Sequence, residues 1–382
     1  MAGNAERGIE AMGWREEFSK RTGPGLILGI TLGDFARLLS QNGFRVPPRY
    51  WPKVAFASLI SLLSTPLRGI EDAALGRRVA QQTVLPPVFI IGHWRSGTTH
   101  LHNLLSVDSR FAYASFSQIT IPHTFLLGER LLSTGSALFL PPDRMGVDNV
   151  AMDPHVPWEE EFALCLATFF SPYMSWVFPH RTEHYDRYLT FRGVPAHDVV
   201  RWKTAFVTLL KKLTWKYQRP LVLKSPPNTC RIKLILEMFP DARFVHIHRD
   251  PYVVYQSTKH LHTKCWEYYS LQRPDLSLLH QRVVRQYSSM FDAFFEEKTL
   301  IPRDRFCEVA YCQLDNNPLG EVRRIYDELS LPDFSVVEPA MKGYVESLAG
   351  YKKNRHVELP DDVRSEISRE WRRSFEEWNY PV

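Results

Sequence analysis

Short, wholly apolar runs alternate along this chain with stretches in which apolar residues recur every three or four positions. Val88-Phe89-Ile90-Ile91 contains no polar side chain and stops at Gly92, as a strand buried on both faces would. Leu101, Leu104 and Leu105 then return at helical spacing, so the local order is strand, tight loop, helix. The order repeats in Leu221-Val222-Leu223, followed by Ile232, Ile235, Leu236 and Phe239 with Pro240 closing the helix. It repeats again where Phe244 to His248 leads through Arg249-Asp250-Pro251 into a helix over Val253 to Lys259. Trp202, Phe206, Leu209, Leu210 and Leu213 mark one more helix, and Val322, Ile325, Tyr326 and Leu329 another. Alternating strands and helices predict an α/β fold: a central parallel sheet flanked by helices, with ligands at the carboxyl ends of the strands.

Residues 1–84 read differently, as a mostly helical N-terminal extension broken by the Val46-Pro47-Pro48 turn and by Pro66. The main domain is expected over 85–382, with a helical tail at about 357–382 around Trp371, Phe375 and Trp378. Two apolar stretches, Gly25 to Gly33 and Val54 to Leu67, fall short of the roughly 18 to 20 residues of a spanning helix. Val54 to Leu67 reads either as a buried helix or as an interfacial one making peripheral membrane contact.

Composition narrows the partners. The 382 residues are 44% hydrophobic and 23% charged, ordinary for a globular chain, and the net charge of +5 comes from dispersed Lys and Arg, which leaves no nucleic-acid footprint. Five cysteines (Cys165, Cys230, Cys265, Cys307, Cys312) form no C-x-x-C pair, which points to reduced thiols. Charged residues between Glu6 and Glu17 precede any apolar stretch, unlike a secretory signal, so a cytoplasmic location is expected.

The loop Gly92-His93-Trp94-Arg95-Ser96-Gly97-Thr98-Thr99 joins strand to helix, where backbone N–H groups and the helix dipole favour an anion. Against the triphosphate loop G-x-x-x-x-G-K-[S/T], Gly92, Gly97 and Thr99 match, but Thr98 replaces the lysine and the cation has moved to Arg95. That exchange argues against ATP or GTP chemistry, which relies on the lysine and magnesium. Sulfuryl transfer handles less charge and can run on fixed cations without a metal. Arg95-Ser96-Gly97-Thr98-Thr99 resembles the 5′-phosphosulfate loop of sulfotransferases that use 3′-phosphoadenosine 5′-phosphosulfate (PAPS), and the acidic segment from Pro157 to Phe162 resembles one in the bacterial and carbohydrate-type branch.

The resemblance implies a P-loop-like core and assigns nucleotide contacts to Trp94, Arg95, Ser96, Gly97, Thr98 and Thr99. It also implies a strand ending in Arg, with a Ser eight positions on, that hold the 3′-phosphate. Arg249 and Ser257 fit that pattern in both spacing and context. Lys224-Ser225 resembles the pair beside the sulfuryl group, but Pro226 stands where many cytosolic members carry a catalytic His. A closing loop is sought near Tyr351 to His356, with Lys352 and Asn354 as further nucleotide contacts, although solvated surface is an equal reading.

With that His missing, the base that takes the acceptor's proton must come from elsewhere. Glu159 and Glu161, in the acidic run after Pro157-Trp158, lead; a solvated helix start is the competing reading. His123 follows, then His100 and His102. His246 and His248 share a strand face without a third ligand, so no metal is expected. The implied activity is sulfuryl transfer from PAPS to a hydroxyl or amine of a carbohydrate or small-molecule acceptor, with Arg95 and Lys224 stabilising charge. A nucleotide kinase or hydrolase, and a non-catalytic nucleotide-binding protein of the membrane surface, stay open as alternatives. Acceptor walls are expected between Phe111 and Arg192, at Trp158, Tyr173, Trp176 and Tyr185.

Overall fold

The computed structural model describes residues 16–23, 25–129, 147, 153–348, 350 and 358–382. Its main elements, in chain order, are α1 (Leu32–Gln41), α2 (Trp51–Ala80), β1 (Val88–Ile91), α3 (Thr98–Leu105), α4 (Glu160–Thr168) and α5 (Ala196–Tyr217). They continue with β2 (Val222–Lys224), α6 (Ile232–Met238), β3 (Arg243–His248), α7 (Pro251–Tyr269), α8 (Leu279–Glu297), β4 (Phe306–Ala310), α9 (Pro318–Glu328), α10 (Asp361–Glu370) and α11 (Arg372–Glu377).

The strands form one parallel sheet in the order β2-β1-β3-β4. Val88 pairs with Val222 on one side and Arg243 on the other, and Phe244 pairs with Phe306. Side chains alternate across this sheet, as strand geometry demands. Phe89, Ile91, Leu223 and Phe244 pack into a core with α5 and α8, whereas Val88, Ile90, Val245, Ile247 and Val309 pack with α3 and α9 on the opposite face. Covering both faces makes the strands apolar throughout, which is why three of them stand out in the sequence.

β4 does not stand out: its burial alternates around Glu308, and it lies at the sheet edge. The N-terminal helices join the same core as the sheet through Leu26, Ile30, Phe35 and Leu38. Pro66 does not break the chain as expected; it lies inside α2, on the exposed side, where water can meet the hydrogen bond it cannot make. α2 is also longer than the apolar run that marks it, and by length and composition it is the one helix among the described residues that could cross a membrane. The tail packs against β3: the Trp378 ring stacks on His248 at 4.8 Å, and the Tyr380 hydroxyl lies 2.9 Å from His248 Nδ1. His246 and His248 are therefore packing residues under the tail.

Candidate active site

β1 delivers the chain into the Gly92–Thr99 loop, where Arg95 (φ +70°) and Gly97 (φ +99°) take left-handed backbone. Gly97 has a second reason to lack a side chain, because a Cβ there would sit 2.4 Å from the Tyr311 ring. The Ser96 hydroxyl donates to the His93 carbonyl at 2.7 Å, and the Gly92 N–H donates to Thr229 Oγ1 at 2.7 Å, so the loop is braced from within and from behind. Gly97 stands at the start of α3 without a capping side chain, and the first helical turn opens on a cavity of about 850 Å³ lined by Arg95, Gly97, Thr98 and Thr99.

The two basic motifs meet there. Arg95 Nε donates to Ser257 Oγ at 2.8 Å, and Arg249 Nη1 donates to the Arg95 carbonyl at 3.3 Å. Asp250 does not neutralise Arg249; its carboxylate caps α7, accepting from the N–H groups of Tyr252 and Val253. The Arg249 guanidinium lies 4.3 Å from the centre of the Tyr311 ring, at the carboxyl end of β4. Burial lowers the pKa of Arg249, and the Arg95 charge pushes it the same way. Like charges gathered in a partly dry cleft fit a polyanion.

The acidic run resolves into separate destinations. Glu159 precedes α4 in extended backbone and lines the cavity. One of its oxygens accepts from Lys224 Nζ at 2.6 Å, and the other accepts from the Tyr173 hydroxyl. Trp94 Nε1 donates to the Tyr173 oxygen at 2.9 Å, and Lys224 Nζ also reaches Thr99 Oγ1 at 3.3 Å. Burial, reinforced by the Glu159 charge, raises the Tyr173 hydroxyl well above the usual phenol range, so Tyr173 acts here as a donor. Glu160 is buried, accepts from the Lys224 backbone N–H at 3.1 Å and from Asn228 at 2.6 Å, and is pushed up to about 7 by burial.

Glu161 departs from expectation. It is fully buried, paired in bidentate fashion with Arg231 at 2.7 and 3.1 Å and bonded by Ser171 at 2.6 Å, so it supports the fold and does not face the cavity. Glu159 stands before α4 in extended backbone while Glu161 sits in the first helical turn, so the two side chains diverge. His123 is the second correction: it lines a different cavity of about 390 Å³ beside Arg68 and Lys212, 4.0 Å from Asp34, and burial depresses it to about 3. His100 lines the main cavity, while His102 is buried beneath it.

Trp158 and Trp176 line the cavity, but Tyr173 and Tyr185 do not: Tyr173 lies behind Glu159 in the core, and Tyr185 is bonded to Asn42. Phe162 lies between the two tryptophans, 6.3 Å from Trp158, 6.3 Å from Trp176 and 6.4 Å from Tyr269. Lys352 and Asn354 lie outside the described residues. Tyr311 carries no signal in the sequence reading, and Arg231 is set aside there because no motif supports it. Recognising β4 would have flagged Tyr311, since it follows that strand's carboxyl end. No group of His, Cys, Asp and Glu among the described residues is arranged to hold a metal.

Comparison with known proteins agrees with this geometry. Residues 86–335 match the sequence model described as Sulfotransferase family. The omega-hydroxy-beta-dihydromenaquinone-9 sulfotransferases of Mycobacterium bovis and Mycobacterium tuberculosis are each 34% identical over 356 residues, covering 93% of this chain and 91% of theirs. In three dimensions the chain resembles sulfotransferase STF1 of Mycobacterium tuberculosis (TM-score 0.64, 17% identity, 89% of this chain and 90% of that one). It also resembles sulfotransferase STF9 of Mycobacterium avium (TM-score 0.63, 20% identity, 93% and 98%).

Proposed function

This chain belongs to the sulfotransferase family, and from that premise we propose that it transfers a sulfuryl group from PAPS to the hydroxyl of an apolar, lipid-like alcohol. The observation that carries the donor is the junction of Arg95, Ser257 and Arg249, remote in sequence and bonded to one another beside the first turn of α3. When bound, PAPS supplies the sulfuryl group and departs as adenosine 3′,5′-bisphosphate.

Arg249 and Ser257 hold the 3′-phosphate in this reading, and Arg95 with the α3 N-terminus holds the 5′-phosphosulfate. Lys224, beside Thr99, stabilises charge as the bond from sulfur to the phosphate oxygen breaks and the acceptor oxygen bonds to sulfur. Glu159 takes the acceptor's proton, its carboxylate aimed by Lys224 and Tyr173. His123 has no part in this scheme.

The apolar lining favours a lipid-like alcohol over a carbohydrate. Trp158, Phe162, Trp176, Leu261 and Tyr269 give a sugar few hydrogen-bond partners but suit an acyl or prenyl chain. The 34%-identical relatives, named for an omega-hydroxy dihydromenaquinone, point the same way. In this division of labour residues 85–382 carry the transfer chemistry and residues 1–84 the approach to the acceptor, in a reducing, cytoplasmic setting. Incubating the protein with PAPS and a panel of long-chain alcohols, sugars and amines, with mass spectrometry for the added SO3, tests the proposal. Sulfated long-chain alcohol is the expected product, its absence with Arg95→Ala ties the reaction to the loop, and sulfation of sugars alone would overturn the acceptor class.

A further inference from the structure

α2 is amphipathic in the inverted sense. Its buried side carries Lys53, Ser61, Ser64 and Glu71 beside Ala57, with Leu75 and Val79 buried only in its last turns, while Leu59, Leu62, Leu63 and Ile70 are 57%, 55%, 67% and 58% exposed. The buried polar groups are engaged with the protein: Lys53 Nζ donates to the Tyr268 carbonyl, and Glu71 pairs with Lys212 at 2.5 Å and accepts from the Leu127 N–H at 3.0 Å. At 100° per residue, Ala55, Leu59, Leu62, Leu63, Pro66 and Ile70 share an outward wedge only about 100° wide. A soluble helix would present this stripe to its own core.

The charges around the stripe identify what covers it. Arg49 is exposed just before the helix and Arg77 is exposed near its end, on the line of Leu59, so an apolar centre is bracketed by cations. Both carboxylates of the helix are turned elsewhere, Glu71 to Lys212 and Asp72 to Arg68. Trp51, 60% exposed, begins the stripe, where an indole suits the level of lipid headgroups. The docked polar side excludes a spanning arrangement, because Lys53 and Glu71 would leave partners within the protein.

We propose that the outward face of α2 lies in the plane of an anionic phospholipid bilayer and that the enzyme draws its acceptor from that bilayer. The buried side of α2 packs against the cavity's own wall: Lys53 donates to the carbonyl of Tyr268, whose neighbour Tyr269 lines the cavity. Seating α2 in lipid would bring that wall close to the bilayer that holds a long-chain alcohol. This deepens the lipid-alcohol reading and rests on it.

Flotation of the full chain with vesicles tests the proposal, using phosphatidylglycerol mixed with phosphatidylcholine, or phosphatidylcholine alone. The comparison protein carries Leu59→Gln, Leu62→Gln and Leu63→Gln, all at solvent-facing positions that leave the fold intact, as an unchanged melting midpoint would show. The wild-type protein should float with anionic vesicles and at least tenfold less with neutral ones, and the triple variant at least tenfold less with either. Sulfation of a short, water-soluble alcohol should stay within twofold in the variant, while sulfation of a vesicle-embedded long-chain alcohol falls at least tenfold. Equal flotation of both proteins, or none by the wild type, overturns the proposal, as does light scattering that shows a wild-type dimer split by the substitutions. Flotation without sulfation of any alcohol would instead overturn the acceptor reading alone.

Discussion

Glu159 and Glu161 stand two positions apart, and the structure places one at the cavity and the other in a buried ion pair, so with Glu159 as the proposed base, exchanging each for glutamine should produce opposite phenotypes. Glu159→Gln keeps the side chain's shape at the cavity edge but removes its ability to accept a proton. A positioned general base is worth roughly 10²- to 10⁴-fold in rate, about 3 to 5 kcal/mol of barrier. The fold should lose little, because the amide oxygen still accepts from Lys224 and the cavity admits water to whatever bond is lost. Glu161→Gln leaves Arg231 with a half-satisfied fork where both side chains are 0% exposed. Breaking such a buried pair costs about 3 to 5 kcal/mol, roughly 4 to 8 degrees in melting temperature for a domain of this scale. Single-turnover sulfation at saturating PAPS, scanning calorimetry, and titration with adenosine 3′,5′-bisphosphate separate the effects. Glu159→Gln should bind the bisphosphate with wild-type affinity, melt near wild type and turn over at least a hundredfold more slowly, whereas Glu161→Gln should melt early and, while folded, keep its rate. Turnover of Glu159→Gln within about threefold of wild type would refute its role as the base.

Two other outcomes follow from the same site. Arg249→Ala removes charge-assisted hydrogen bonds worth about 1.5 to 3 kcal/mol, so calorimetry should show adenosine 3′,5′-bisphosphate binding weakened by roughly 10- to 150-fold. Adenosine 5′-phosphosulfate, which lacks the 3′-phosphate, should bind wild type and variant alike, and equal weakening of both ligands would contradict the assignment. Glu160 supplies a pH test: its carboxyl is raised from the ordinary 4.5 to about 7 by burial, so between those values the folded protein holds a proton that the unfolded chain has released. The stability contributed by Glu160 is therefore fully present below the lower value and declines as pH rises through the window, by about 3 kcal/mol, and Glu160→Gln should remove that component of the slope in denaturant titrations.

Much of this architecture is legible in the sequence because burial on both faces writes itself as uninterrupted apolar runs, as at Val88–Ile91, and because loop chemistry sits directly after them. Arg95 and Arg249 are visible for that reason, each ending or following a strand. β4 escapes because an edge strand needs to be apolar only on alternate positions, and Glu308 sits among them. Which glutamate faces the cavity depends on the residue at which α4 begins; a shift of one position turns every side chain by about 100°, and three consecutive glutamates carry no mark of that phase. Arg231 escapes because its partner Glu161 lies far along the chain. The apolar run from Val54 to Leu67 is plain in the sequence, but the inversion of its helix emerges only once Lys53 and Glu71 are seen to point inward. The resemblance to PAPS-dependent sulfotransferases rests on the two motifs the fold brings together, and the family membership agrees with it.

Parallel pairing also sets an order of events. β1 finds its neighbours only at Val222 and Arg243, far downstream, so the central strand waits through most of synthesis before any ladder can close. Such high contact order makes folding slow and leaves Val88–Ile91 exposed to wrong partners in the interval. A ligand that grips the ends of β1 and β3 together recognises only the finished sheet, and by binding it shifts the balance away from partly assembled chains. In the proposed reading, adenosine 3′,5′-bisphosphate added during refolding would raise the recovery of folded protein.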